Sequence, residues 1–255
     1  VLLSPAKTMD FSPINLPIQG TTPEFIQQTL YLIRQAKQWS VEDISKIMGV
    51  SKSLAQLNFE RFQSFSSITS EKNSKPAILA YNGDAYQGLD AKNMSFKSLQ
   101  YSNTHLRIFS GLYGILQPFD LIQPYRFEMG IQFKAGHSHD LYHFWQEIVT
   151  QSVENQLNTL NTDIIVNLAS AEYSKTIDFN KMNVRVITPS FYNLNNGKYK
   201  TVSFWIKKAR GMMTRFIMNH EITNPDDLMG FDEKYCYKQT GNSSIEDKPL
   251  FISEF

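Results

Sequence analysis

Apolar residues recur at helical spacing in several stretches of this chain and run together in short blocks elsewhere. Phe25, Ile26, Thr29, Leu32, Ile33, Ala36 and Trp39 form one stripe in steps of three and four, as one face of an α-helix requires. Thr22 stands where an N-cap belongs, with Pro23 at the first helical position, where its missing N–H costs nothing. A second helix is predicted over Val41–Met48, capped by Ser40 and stopped by Gly49, with Ile44, Ile47 and Met48 on one face. Ser51 opens a third, through Leu54, Ala55 and Phe59 to Phe62. Another begins near Asp140 and turns Leu141, Phe144, Trp145, Ile148, Val153 and Leu157 inward, and a last one is expected over 206–219.

Strands are predicted at 77–81, 164–168, 184–188 and 199–205, with 1–3 as a fifth. The block 164–168 is a short apolar run, as in a strand buried on both faces. Asn195-Asn196-Gly197 is a turn signal before 199–205. Strands and helices interleave, which gives an α/β or mixed α+β fold with a central sheet flanked by helices. No repeat or low-complexity linker divides residues 1–255, so one domain is expected.

Composition supports a large core. Of 255 residues, 42% are hydrophobic, with 18 Phe and 12 Tyr, and a chain of this size buries about 75% of its unfolded surface without disulfides or metals. The single cysteine, Cys236, excludes an internal disulfide and points to a reducing compartment, the cytoplasm. No run approaches the roughly 18 apolar residues of a membrane span, and Val1-Leu2-Leu3-Ser4-Pro5 does not read as a signal peptide. Net charge is +1, yet 198–220 carries Lys198, Lys200, Lys207, Lys208, Arg210 and Arg215 with no Asp or Glu. From Glu221 onward acidic residues dominate. Either the basic stretch is a surface for phosphate or nucleic acid, or it pairs with the acidic tail inside the fold.

Several residues carry candidate chemistry. Ser4 and Lys7 fit a Ser-x-x-Lys spacing, but the following Thr8-Met9-Asp10-Phe11-Ser12-Pro13 reads as loop, and that pattern activates a serine only when a helix aligns the pair. Lys7 is better suited to contact an anion. Asn82-Gly83-Asp84 leaves the predicted strand 77–81, and Asn167, Ser170 and Lys175 leave 164–168; ligands of open α/β sheets bind beyond such strand ends. The plainer reading is an ordinary Asn-Gly turn with Asp84 capping the next element. Arg126 and Glu128, at i and i+2, point the same way in an extended segment and can pair. Gly111 and Gly114 show G-x-x-G spacing, which is neither a dinucleotide fingerprint nor a P-loop. His137, His139 and His143 lack the further ligands of a metal first shell and read as exposed histidines. No metal or cofactor is expected. On a wheel of the 206–219 helix, Ile206, Met213 and Ile217 share a side with Arg210, whereas Lys208 and Arg215 point outward to solvent. Arg210 therefore needs either an internal carboxylate or an anionic ligand.

Taken in order, Ser4-Pro5-Ala6-Lys7-Thr8, Asn82-Gly83-Asp84, Tyr86, Gly88-Leu89, His105 to Gly114, Pro124-Tyr125-Arg126, Leu141-Tyr142, Phe144-Trp145, Asn167-Leu168-Ala169-Ser170 and Lys207-Lys208-Ala209-Arg210-Gly211 closely resemble the bacterial peroxide-stress family YaaA along essentially the whole chain. The resemblance implies a cytoplasmic protein that limits peroxide damage by lowering free intracellular iron, and that binds double-stranded DNA, in part through a helix-hairpin-helix element. Residues 41–62 resemble that element: Met48-Gly49-Val50-Ser51 stands in for the Gly-hydrophobic-Gly hairpin, Ala55 takes the small position, and Asn58 replaces an apolar residue. Gly49 and Lys52, with Lys207, Lys208, Arg210 and Arg215, are the expected contacts to the DNA backbone. The alternative is an enzyme whose internal pocket gathers Lys7, Asp84, Arg126, Glu128, Lys175 and Arg210 around a phosphate-bearing or nucleobase substrate.

Overall fold

The computed structural model describes residues 1–13, 16–70, 72–136, 138–195, 197–238 and 244–253. Strand β1 (Leu2–Leu3) is followed by helices α1 (Ile26–Ala36), α2 (Val41–Met48) and α3 (Lys52–Ser64). Next come β2 (Lys75–Pro76), α4 (Ala77–Ala80), α5 (Asp84–Leu89), α6 (Phe96–His105), β3 (Arg107–Ser110), β4 (Gly114–Leu116) and β5 (Leu121–Ile122). The long helix α7 (Leu141–Leu160) leads to β6 (Ile164–Leu168), α8 (Ala171–Ser174) and β7 (Arg185–Ile187). The chain then forms β8 (Ser190–Asn195), β9 (Lys198–Lys200), α9 (Ser203–His220), β10 (Cys236–Tyr237) and β11 (Leu250–Ser253).

The result is a mixed α/β fold in which helices flank the sheets. The central sheet runs β4-β3-β1-β6-β7, parallel except for β4. Two residues suffice for β1 because both its edges are paired, Leu2 with Arg107 and Asn167, Leu3 with Ile108 and Leu168. A second sheet runs β10-β11-β8-β9, and β2 pairs with β5. Among the described residues no helix is long and apolar enough to cross a membrane.

Where a helix signal lies within a few residues, the expected element forms. Ser40 Oγ accepts the Asp43 N–H at 3.1 Å and the Asp43 carboxylate accepts the Ser40 N–H at 2.9 Å, a reciprocal capping box. Gly49 ends α2 at φ 61°, a left-handed conformation that penalises residues bearing a Cβ. Ser51 caps α3 and Asp140 caps α7.

Other expectations are corrected. The first helix starts at Ile26, not Pro23, because Thr21 is held in a bridge to Asp120 by backbone bonds of 2.9 and 2.8 Å. Residues 77–80 are helical, not a strand; Ala77, Ile78, Leu79 and Ala80 are all buried, and a short apolar run has no period to separate the two states. The 199–205 strand ends at Lys200, and α9 begins at Ser203, a turn earlier than expected. His137, Asn196 and Glu254 lie outside the described residues.

Candidate functional site

Chain order makes the carboxyl edge of the central sheet the place to look. From β1 the chain passes to β3 on one side and later to β6 on the other, so the switch point lies beyond the end of β1. Ser4 and Ser170 meet there. The Ser170 N–H donates to Ser4 Oγ at 2.8 Å, the two hydroxyls lie 3.3 Å apart, and Tyr86 Oη donates to the Ser4 carbonyl at 3.1 Å. Ser4 thus joins two strand ends, and residues 4–7 are not helical. Lys7 turns away from Ser4 to Glu128, 3.4 Å from Oε1.

Glu128 is the centre of a charged cluster. Residues 125–128 form neither helix nor strand, and Arg126 and Glu128 meet across them: Glu128 Oε1 accepts from Arg126 Nε at 2.9 Å and lies 2.9 Å from Nη2. Glu128 is only 8% exposed, and its Oε2 is buried with no hydrogen-bond partner among the described residues. From α3, Arg61 comes close enough that burial, and then the charge of Arg126, lower its pKa. Arginine keeps its proton in proteins, so Arg61 stays charged in this partly buried position. The Arg61 side chain has no carboxylate or hydrogen-bond acceptor among the described residues. Lys7 and Arg126 on one carboxylate, with Arg61 beside Arg126 and one carboxylate oxygen unused, can receive an anion that also carries a hydrogen-bond donor.

A chain of hydroxyls lies alongside. Tyr125 Oη is 2.6 Å from Ser110 Oγ and 2.5 Å from Tyr81 Oη. Burial pushes the Tyr125 phenol up to about 12 and raises Tyr81 and Tyr173 as well. These phenols stay neutral at physiological pH and act as hydrogen-bonding groups rather than bases.

The remaining sequence candidates do not all converge. Asp84 is the first residue of α5, its side chain forms neither a cap bond nor an ion pair among the described residues, and Gly83 beside it packs on Ala6. Lys175 sits at the rim, 4.0 Å above the Tyr142 ring. Arg210 is half-buried, burial lowers its pKa, and no carboxylate accompanies it among the described residues, which removes the internal ion pair. Arg215 is not solvated as expected; it bridges Asp90 at 3.5 Å and Glu233 at 2.6 Å. The acidic tail therefore neutralises Arg215, while Lys207 and Lys208 have no carboxylate partner among the described residues. Gly49 and Lys52 are exposed at the α2–α3 tip. His143 bonds Asp140 at 2.8 Å, and no group of three or more potential ligands gathers among the described residues.

Sequence reasoning missed Arg61, although it lies three residues after Asn58 and next to Phe62, both on the buried face of α3. It also missed the hydroxyl chain, whose members come from separate segments. The larger cavity, about 260 Å³, lies at the opposite edge of the sheet beside Leu2, Tyr101 and Arg107, away from every candidate. A smaller one, about 170 Å³, touches Tyr81, Asn82 and Tyr86 next to Asp84.

Comparison with known proteins accounts for nearly all of this chain. Residues 1–240 match the family described as peroxide stress protein YaaA. A UPF0246 protein of Polynucleobacter necessarius subsp. necessarius (strain STIR1) is 42% identical over 251 residues, covering 98% of this chain and 97% of its own. With a family match over residues 1–240 and a relative aligned over 98% of the chain, the chain belongs to the YaaA family of peroxide stress proteins.

Proposed function

We propose that this chain answers peroxide stress in the cytoplasm by binding duplex DNA through its backbone and by lowering free iron. The observation that supports DNA contact is the tip of the α2–α3 hairpin. Gly49, Ser51, Lys52 and Ser53 are all exposed, and the first turn of α3 has no acidic side chain. The N–H groups of Lys52 and Ser53 have no acceptor among the described residues. A phosphate at this tip meets backbone donors and the Lys52 ammonium together, and Lys207, Lys208 and Arg210 supply further positive charge. Lowering of iron is supported by the family resemblance. Lys52→Ala should weaken all duplexes alike and reduce the slope of log affinity against log salt by about 0.9. An unchanged slope, or a loss confined to particular sequences, would reject backbone contact at the tip. Equal free iron in cells with and without the chain would reject the iron role.

The Glu128 cluster supports a second reading, an enzyme site for a phosphate-bearing or nucleobase substrate. Lys7, Arg61 and Arg126 suit the phosphate, and the unused Glu128 Oε2 suits an N–H or O–H of the same ligand. Calorimetric titration with nucleoside monophosphates should detect binding that Arg61→Gln weakens roughly tenfold, as loss of one charge-assisted contact does. Undetectable binding by the unaltered chain would exclude this reading.

A further inference from the structure

Beyond the hairpin and the strand ends lies an aromatic surface that neither reading uses, although it borders Lys207 and Lys208, which also supply charge for duplex DNA. Tyr199, Phe204 and Trp205 are 48%, 41% and 38% exposed, unusual for large rings in a chain that buries most of its others. They come from β9 and the start of α9, and lysines surround them. Lys208 Nζ is 5.9 Å and Lys234 Nζ 6.0 Å from the centre of the Trp205 ring. Lys238 Nζ stands 5.1 Å over Tyr199 and donates to its hydroxyl at 2.9 Å. Lys198, Lys200 and Lys207 add exposed charge. None of these lysines has a carboxylate partner among the described residues, whereas Arg215 on the same helix has two. The acidic tail thus neutralises the inner part of α9 and leaves its outer end cationic.

We propose that this surface binds single-stranded nucleic acid by stacking unpaired bases on Trp205, Phe204 and Tyr199 while the lysines hold the flanking phosphates. Exposed aromatic faces in a basic setting are what sequence-tolerant single-strand binding requires. The Trp205 lysines stand at the outer limit of cation–π contact, near enough to reach a phosphate beside a stacked base without being pressed onto the ring. The Phe204 and Trp205 rings are 5.0 Å apart and inclined at 76°, so consecutive bases would have to splay, which a duplex does not allow. This proposal is carried by β9 and α9 and does not depend on the hairpin.

The probe is an oligothymidylate of about twelve nucleotides, within the range one such site covers. Of the three tryptophans, Trp145 is fully buried and Trp39 packs among Phe62, Phe127 and Phe133, so fluorescence quenching by a stacked base reports mainly on Trp205. Titration of the full chain should quench emission, and salt should weaken the binding. Read by the fluorescence anisotropy of an end-labelled oligonucleotide, which does not depend on tryptophan, Trp205→Ala should weaken it roughly tenfold or more. Trp205→Phe should retain most of the affinity, which separates stacking from damage to the fold. Lys52→Ala should bind the oligonucleotide normally even if it loses duplex, so that failure at the hairpin and failure here give different results. Absence of binding, equal affinity for Trp205→Ala, or a surface that instead captures phosphatidylserine vesicles through Trp205 would overturn the proposal.

Discussion

Arg61 and Arg210 are both drawn partly out of water without a carboxylate among the described residues, and other arginines of the chain show how unusual that is. Arg107 is more deeply buried but bonds the carbonyls of Asn103 and Leu106 and the Gln156 side chain. Arg215 holds Asp90 and Glu233. An unpaired buried charge costs stability, and removing it relieves that cost. Arg210→Ala should therefore melt at the same temperature or a few degrees higher, each kcal/mol being worth about 2–4 °C in a chain of this size, while duplex affinity falls. Arg215→Ala should melt lower, since it strands two carboxylates. A drop for Arg210→Ala as large as that for Arg215→Ala, without a binding defect, would show that Arg210 is structural. The position of Arg210 was legible because Ile206, Met213 and Ile217 mark one side of a single helix. The ion pairs of Arg215 were not, because Asp90 lies 125 residues away and only folding brings it near.

Elements divide along the same line. The caps of α2, α3 and α7 were legible because each is written within four residues, as in Ser40 with Asp43. Strands depend on partners elsewhere. Nothing local marks Leu2–Leu3 as the middle of a sheet; Arg107 and Asn167 do that. Both β3 and β11 went unread for the same reason, and α4 was misread because buried Ala-Ile-Leu-Ala suits either state. The 199–205 error has a different origin. Tyr199, Val202, Phe204 and Trp205 read as parts of a strand, yet all four are exposed. Apolar residues that the fold leaves in water break the rule linking pattern to burial, and such departures concentrate at functional surfaces. At the candidate site, the Arg126–Glu128 pair was legible from its spacing alone, whereas the approach of Arg61 required α3 to pack beside the 125–128 segment.

At the scale of the whole molecule, α9 connects the parts. It contacts α5, α6, β1, β6 and β8, so it touches the central sheet and the second sheet alike. Its Phe216 packs on Phe231 at 5.5 Å, and Phe231 meets Phe251 and Phe191 of β11 and β8. On the other side α9 presses against α5 without intervening side chains. A Cβ at Gly211 would lie 1.7 Å from the Ala85 carbonyl oxygen, and one at Gly88 would lie 2.1 Å from that of Lys208. With one helix tied to both sheets, residues 1–255 should unfold as a single unit, with equal calorimetric and van't Hoff enthalpies. Gly211→Ala provides the sharper test. The obstacle is backbone rather than a movable side chain, so the helices must separate, at a cost of about 2–3 kcal/mol. That lowers the melting temperature by roughly 5–10 °C, and the whole transition should shift together because neither sheet keeps its core when α9 moves. Differential scanning calorimetry decides the matter: two resolved transitions, or a Gly211→Ala shift confined to one part of the trace, would mean that the second sheet folds independently of the first.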